Sequence, residues 1–225
     1  MIGDIAHVCN RGVEKRKIFL DENDYIRFVD NLYLLNNKSG KLRTRKRNVF
    51  DLDEPLPKQE KLVDILKWSL LPNHYHLLLS EVTDGGISEF ARRLGNAYTK
   101  YFNTKNDGRS GFLFQNKAKI VPVTNDRHFI YLPIYIDLNP LDILFSNWKD
   151  SKNFNNRKAF DFVKNYKWSS LIDFYNEGPR TELVNKKEFY ELLGINLKDY
   201  EKEVIGFLTL TPVRQHSMLT QVEII

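Results

Sequence analysis

Two apolar runs, 62–70 and 74–79, meet across Leu71-Pro72-Asn73. Short apolar runs read as buried strands, and the residues between them as a hairpin turn. Whatever this chain folds into must build a sheet around that hairpin. The second run opens His74-Tyr75-His76-Leu77-Leu78-Leu79. Residues i and i+2 of a strand point to one face. His74 and His76 therefore stand side by side, with Tyr75, Leu77 and Leu79 opposite. Neutral imidazole is the commonest metal ligand, so the pair offers two rigid donors and needs a third. The same spacing also fits two histidines that are only hydrogen-bonded to neighbours.

Around the hairpin the pattern is regular. Residues 4–10 read as a strand ended by Asn10-Arg11-Gly12. Asp21-Glu22-Asn23-Asp24 supplies capping oxygens for a helix with Tyr25, Phe28, Val29, Leu32 and Leu35 on one stripe. Residues 36–60 are polar, basic and proline-bearing, and read as an inserted loop. After Asp84-Gly85-Gly86 a second helical stripe runs Ile87, Phe90, Leu94, Ala97, Tyr98, Tyr101, closed by Asn106-Asp107-Gly108. Phe112 to Val123 reads as a fourth strand, and Asn125-Asp126 caps a helix through about Leu138.

The order β-α-(insert)-β-β-α-β-α predicts an α+β fold. Its core is the ferredoxin-like split βαβ arrangement, an antiparallel sheet with helices on one face. Residues 1–140 form this core in the expectation, and 141–225 a mostly helical C-terminal extension packed on it. No internal repeat is present.

Composition narrows the class. The 225 residues, 42% hydrophobic and 28% charged, suit one domain with an appendage. No apolar run reaches the roughly 18–20 residues that span a membrane. Met1-Ile2-Gly3-Asp4-Ile5 does not read as a signal peptide. The single cysteine, Cys9, excludes an internal disulfide and a multi-cysteine zinc site. A cytoplasmic protein is expected. The net charge is +5, and Lys41-Leu42-Arg43-Thr44-Arg45-Lys46-Arg47 concentrates five basic residues in seven. Such a run attracts phosphate backbones, and equally fits a solvated loop.

The third donor is sought in Ile134-Tyr135-Ile136-Asp137-Leu138-Asn139-Pro140. Tyr135 and Asn139, four apart, share a helix face. The amide oxygen of Asn139 suits a hard cation. If that face meets the histidine face, one metal is held by His74, His76 and Asn139, with the Tyr135 phenol one turn away. A metal with open positions polarises a phosphodiester, and a tyrosine oxygen can attack the phosphorus to form a covalent intermediate. Free tyrosine has a pKa of about 10, so it needs the metal or a base to act. The spacing alone also fits a core tyrosine and an Asn-Pro helix stop.

With these residues in place the chain resembles the single-tyrosine HUH transposases, close to the REP-associated tyrosine transposases of bacteria. His74-Tyr75-His76 matches the His-hydrophobe-His motif. His7-Val8-Cys9-Asn10-Arg11-Gly12-Val13 with Ile18-Phe19, Leu71-Pro72-Asn73, Gly111-Phe112-Leu113-Phe114-Gln115, Tyr135 to Pro140 and Trp168-Ser169-Ser170 follow in family order. The resemblance covers roughly residues 4–172. It implies an HUH endonuclease core, Mg²⁺ or Mn²⁺, and single-stranded DNA with hairpin elements as substrate. It also implies transposition chemistry in which a tyrosine takes the 5′-phosphate and frees a 3′-OH. Residue by residue, it places the nucleophile at Tyr135 and the third metal ligand at Asn139. A monomer or homodimer, associated with the bacterial nucleoid when on DNA, follows from the same likeness.

Relatives recognise hairpins with flanking single-stranded guide bases. The implied grip falls on Asn10, Arg11 and Lys15 after the first strand, Arg92 and Arg93 on the second helix, and Gln115, Lys117 and Lys119 on the fourth strand. The run with Arg43, Arg45, Lys46 and Arg47 would clamp a duplex stem. Two positions depart from the family. Pro133 lies inside the tyrosine helix, where it kinks the helix or starts a new first turn. Asp137 stands where relatives often carry His, which would alter the pH dependence if that side chain moves protons. Two other functions fit the motifs: a hairpin-binding protein that no longer cuts, and a nickase of the replication-initiator or relaxase kind.

Overall fold

The computed structural model describes residues 3–40, 50, 56, 58–124, 126–145, 148, 155–176 and 179–210. Four strands form one antiparallel sheet: β1 (Ile5–Arg11), β2 (Val63–Leu71), β3 (His74–Glu81) and β4 (Lys119–Pro122), in the order β2-β3-β1-β4. That is the split βαβ order expected from the pattern. The hairpin closes in two residues, Pro72 and Asn73, because Leu71 pairs directly with His74.

Helices α1 (Glu22–Leu34) and α2 (Gly86–Lys105) cover one face. Asp21 and Asp24 form the capping box of α1. Asp24, fully buried, also accepts from Tyr101 Oη at 2.9 Å and Lys105 Nζ at 2.6 Å, which locks the start of α1 to the end of α2. Tyr75 reaches this layer, its ring 4.9 Å from Phe28.

The other face is covered too, which corrects the expectation of helices on one side only. Helix α3 (Asp126–Leu138) lies there, His76 meeting Tyr135 with ring centroids 5.4 Å apart. The reason is visible in β3, all eight of whose residues are buried. A strand buried on both faces needs a layer on each. Pro133 sits inside α3 without ending it. Beyond α3 come α4 (Leu141–Leu144), α5 (Asn156–Lys164), α6 (Leu171–Tyr175), α7 (Lys186–Leu193) and α8 (Leu197–Thr209), so the extension is helical as expected.

The extension is tied to the sheet in two ways. Trp168 to Ser170 runs along the free edge of β2: Leu70 N–H donates to Trp168 O and Ser170 N–H to Trp68 O, both at 2.8 Å. An open edge is a template for unwanted pairing, and here it is closed. In addition, Lys67 of β2, fully buried, bonds Asp137 of α3 at 2.7 Å, and Tyr200 of α8 donates to the same carboxylate oxygen at 2.6 Å. The rings of Phe174, Tyr200 and Phe189 stand 3.8, 4.5 and 4.7 Å from Lys67 Nζ. Asp137 thus joins β2, α3 and α8.

Two further expectations change. The strand expected over 112–123 shrinks to Lys119–Pro122, with Phe114 making only a single bridge to Gly12. The register slips by two residues between Cys9↔Lys119 and Gly12↔Phe114. In the slipped stretch the Asn10 side chain, not a backbone amide, donates to Asn116 O at 2.9 Å. The ends of the 36–60 insert are stapled, Lys38 N–H to Glu60 O at 2.8 Å and Asn36 to Val63 O at 2.8 Å. Arg43, Arg45, Lys46 and Arg47 lie outside the described residues. Among the described residues no helix is long and apolar enough to cross a membrane.

Candidate active site

Strand pairing gathers the polar side chains of the α3-facing sheet surface. Cys9 pairs with His76, Arg11 with His74 and Ser69 with His76, so all share that face. His7, two residues before Cys9, lies diagonal to His76. Its Nε2 is 2.9 Å from His76 Nδ1, and the two rings stack at 5.1 Å. Helix α3 then brings the Tyr135 ring edge-on to both, 5.4 Å from His76 and 6.4 Å from His7.

Asn139 follows the last turn of α3. Its N–H still donates to Tyr135 O at 3.0 Å, so the two side chains keep their helical relation. Its Oδ1 stands 3.4 Å from His74 Nε2. The other ring nitrogen, Nδ1, is 2.7 Å from Asn73 Oδ1. Asn73 donates through Nδ2 to Lys15 O at 3.3 Å, which orients its oxygen toward the histidine. In the neutral tautomer that donates from Nδ1 to Asn73, the His74 Nε2 lone pair faces the Asn139 amide oxygen. Two acceptors facing each other across that gap suit a cation between them. A hydrogen-bond acceptor on the far ring nitrogen is the usual support of a metal-ligating histidine. The donors, imidazole nitrogen and amide oxygen, suit a divalent ion that keeps open positions.

His7 and Cys9 were not foreseen as site residues. His7, Cys9 and His76 bring ligand atoms within 4.8 Å of one another and could themselves hold an ion. Burial pushes the Cys9 thiol up to about 12 and the His7 imidazole down to about 3, the latter aided by the charges of His128 and Lys119. All three are fully buried. Three ligands alone would leave a fourth position open, but the full burial of all three side chains keeps that position away from solvent and substrate. The direct 2.9 Å contact of His7 with His76 is a hydrogen bond, which makes His7 an orienting neighbour. The signal was present: His7 and Cys9 alternate on β1 as His74 and His76 do on β3.

The expected DNA-contacting residues separate into groups. Arg11, Lys15, Gln115, Lys117 and Lys119 surround the His74 end of the sheet, half-buried or exposed. Asn10 is buried and bonded to Asn116. Arg92 and Arg93 are not brought to this site. They lie on α2, across the sheet, where both bond Glu89 and Arg93 also donates to Asn37 O at 2.6 Å.

No protein-family model matches the chain, and no curated protein matches it. Among solved structures, it is similar to one described as "Structure of the REP associates tyrosine transposase bound to a REP hairpin". The TM-score is 0.43 and the identity 16%, over 77% of this chain and 79% of that one.

Proposed function

We propose that this chain is a metal-dependent single-stranded DNA endonuclease and strand transferase that cuts beside DNA hairpins through Tyr135. One observation carries the reading. A single helix sets a phenol against His76 and, one turn on, an amide oxygen 3.4 Å from His74. A nucleophile and a three-donor cation site on one helix-strand contact suit phosphodiester transesterification.

His74, His76 and Asn139 would hold Mg²⁺ or Mn²⁺. When bound, the ion neutralises charge developing on a scissile phosphate. The Tyr135 oxygen gives up its proton and bonds to phosphorus. The bond from phosphorus to the 3′ oxygen breaks, and that oxygen takes up a proton in place of the one the phenol lost and leaves as a 3′-OH. The 5′-phosphate stays on tyrosine. One phosphodiester replaces another, so the strand can be rejoined. His7 Nε2, 2.9 Å from His76 Nδ1, would accept from it in the tautomer that leaves His76 Nε2 free to ligate. Asn73 does the same for His74.

Labelled single-stranded hairpin DNA with Mg²⁺ should give a covalent adduct on a denaturing gel, absent for Tyr135→Phe. An adduct that survives this substitution would sink the assignment. One observation favours a second reading, a hairpin-binding protein that does not cut: Tyr135 is only 2% and His74 5% exposed. That reading expects tight hairpin binding and no adduct with any divalent metal.

A further inference from the structure

The largest exposed apolar side chain near the His74 end is Phe112, 85% exposed. Single exposed apolar residues are ordinary, so its surroundings decide. The backbone beneath it is held. Asn103 Nδ2 donates to Gly111 O at 3.0 Å, and Val13 N–H to Leu113 O at 3.0 Å. Arg109 Nη2 reaches Phe112 O at 3.4 Å. Leu113 and Phe114, next along the chain, are buried. Gly12 N–H donates to Asn73 O at 2.8 Å, so the same network ends at the residue before His74. Phe112 is therefore presented to solvent from a pinned loop beside the candidate site.

The charges around it are distinctive. Segments 11–17 and 109–117 carry Arg11, Lys15, Arg16, Lys17, Arg109 and Lys117 against one carboxylate, Glu14. Among the described residues none of these six cations has a carboxylate partner. Among the described residues, Arg11 Nε, Arg16 Nε and Arg109 Nη1 are buried with no hydrogen-bond acceptor. By contrast Arg92, Arg93 and Lys105, elsewhere on the surface, are paired with Glu89, Asp21 or Asp24. The loop carrying Lys15 is also strained. Glu14 and Lys15 both take left-handed backbone, φ 54° and 59°. A Cβ on Gly12 would stand 2.3 Å from Arg16 O. Non-glycine residues hold such conformations where the surroundings over-determine them, commonly at ligand sites.

Unpaired cations flanking one rigid, exposed aromatic match the general pattern of a single-strand binding surface, in which the backbone follows the charge and a base stacks on the ring. We infer that Phe112 is the stacking platform for an unpaired DNA base flanking the hairpin, with Arg16, Lys17 and Arg109 beside it for the adjoining phosphates. This rests on the single-stranded DNA reading above, and adds to it the residue that grips the unpaired tail.

The test compares a hairpin bearing an unpaired DNA tail with the same hairpin cut blunt. Binding is measured by anisotropy at one salt concentration, and 2-aminopurine in the tail reports stacking. Phe112→Ala should weaken tailed-hairpin binding about tenfold, the size of one lost base stack. It should also restore 2-aminopurine fluorescence and leave blunt-hairpin affinity within about twofold. Phe112→Trp should retain tail binding. Equal loss on both DNAs, or no loss on the tailed one, overturns the stacking role. If wild-type protein still forms the Tyr135 adduct in that case, the proposed function stands without it. If wild-type protein binds no tailed DNA and forms no adduct, both fall. Tighter binding of the same tail in RNA would overturn the assignment to DNA.

Discussion

At the scale of single residues, the chemistry of the site is set by which nitrogen of each histidine carries a proton. Asn73 orients His74, and in the proposed reading His7 orients His76. His7 can serve only as a neutral ring, and burial keeps it so by pushing its titration down to about 3. Removing such an outer partner typically weakens metal binding about 10–100-fold. His7→Phe keeps the stacked shape but loses the acceptor. Its Mn²⁺ affinity, read by electron paramagnetic resonance on DNA-free protein, should fall within that range, and His7→Gln should recover part of it. Unchanged Mn²⁺ affinity in His7→Phe would reduce His7 to packing.

At the scale of elements, α3 is positioned by the buried pair of Lys67 and Asp137. Burial pushes the lysine down and the carboxyl up, and their contact opposes both shifts. Three rings around Nζ and the Tyr200 hydroxyl on the carboxylate favour the charged pair. Removing one partner strands the other charge, so Asp137→Ala should destabilise the fold by about 3–5 kcal/mol in urea unfolding. The double replacement Lys67→Met with Asp137→Leu should recover most of that loss. Asp173, at the start of α6, adds a pH dependence. Burial raises its carboxyl to about 6, against which Arg180, 3.9 Å away, pulls weakly. A folded pKa above the ordinary value of about 4 means the contribution is present below pH 4 and lost as pH rises toward 6. Thermal midpoints should therefore fall over that window more in wild type than in Asp173→Asn. Parallel curves would contradict the assignment.

At the scale of the whole molecule, core and extension share one apolar interior. Phe160, Phe174, Phe189, Tyr200, Val204 and Phe207 belong to the same buried cluster as the sheet. The 166–170 segment closes the β2 edge, and the lysine cage is built from α6, α7 and α8. A chain ended after residue 145 would expose Lys67, Asp137 and an open strand edge. It should aggregate on gel filtration and show no cooperative unfolding. A monomeric, cooperatively unfolding fragment would mean that the core stands alone.

Local periodicity set much of this in advance. Alternation on the 74–81 run put His74 and His76 on one face, and spacing of four put Tyr135 and Asn139 on another. Capping residues marked the start of α1. These are short-range consequences of backbone geometry, which dictates where a side chain points relative to its own neighbours in sequence. What it does not dictate is which element lies opposite. That α3 covers the histidine face, that His7 lands on His76 across the β1–β3 ladder, and that Asp137 turns to Lys67 all depend on long-range pairing. So does the break of the expected 112–123 strand, where one asparagine side chain replaces a ladder bond. Spacing alone singles out the two histidines, the amide and the phenol as candidates and says which way each faces. Their partners come from the fold, because strand pairing and burial are chosen by the packing of the whole chain.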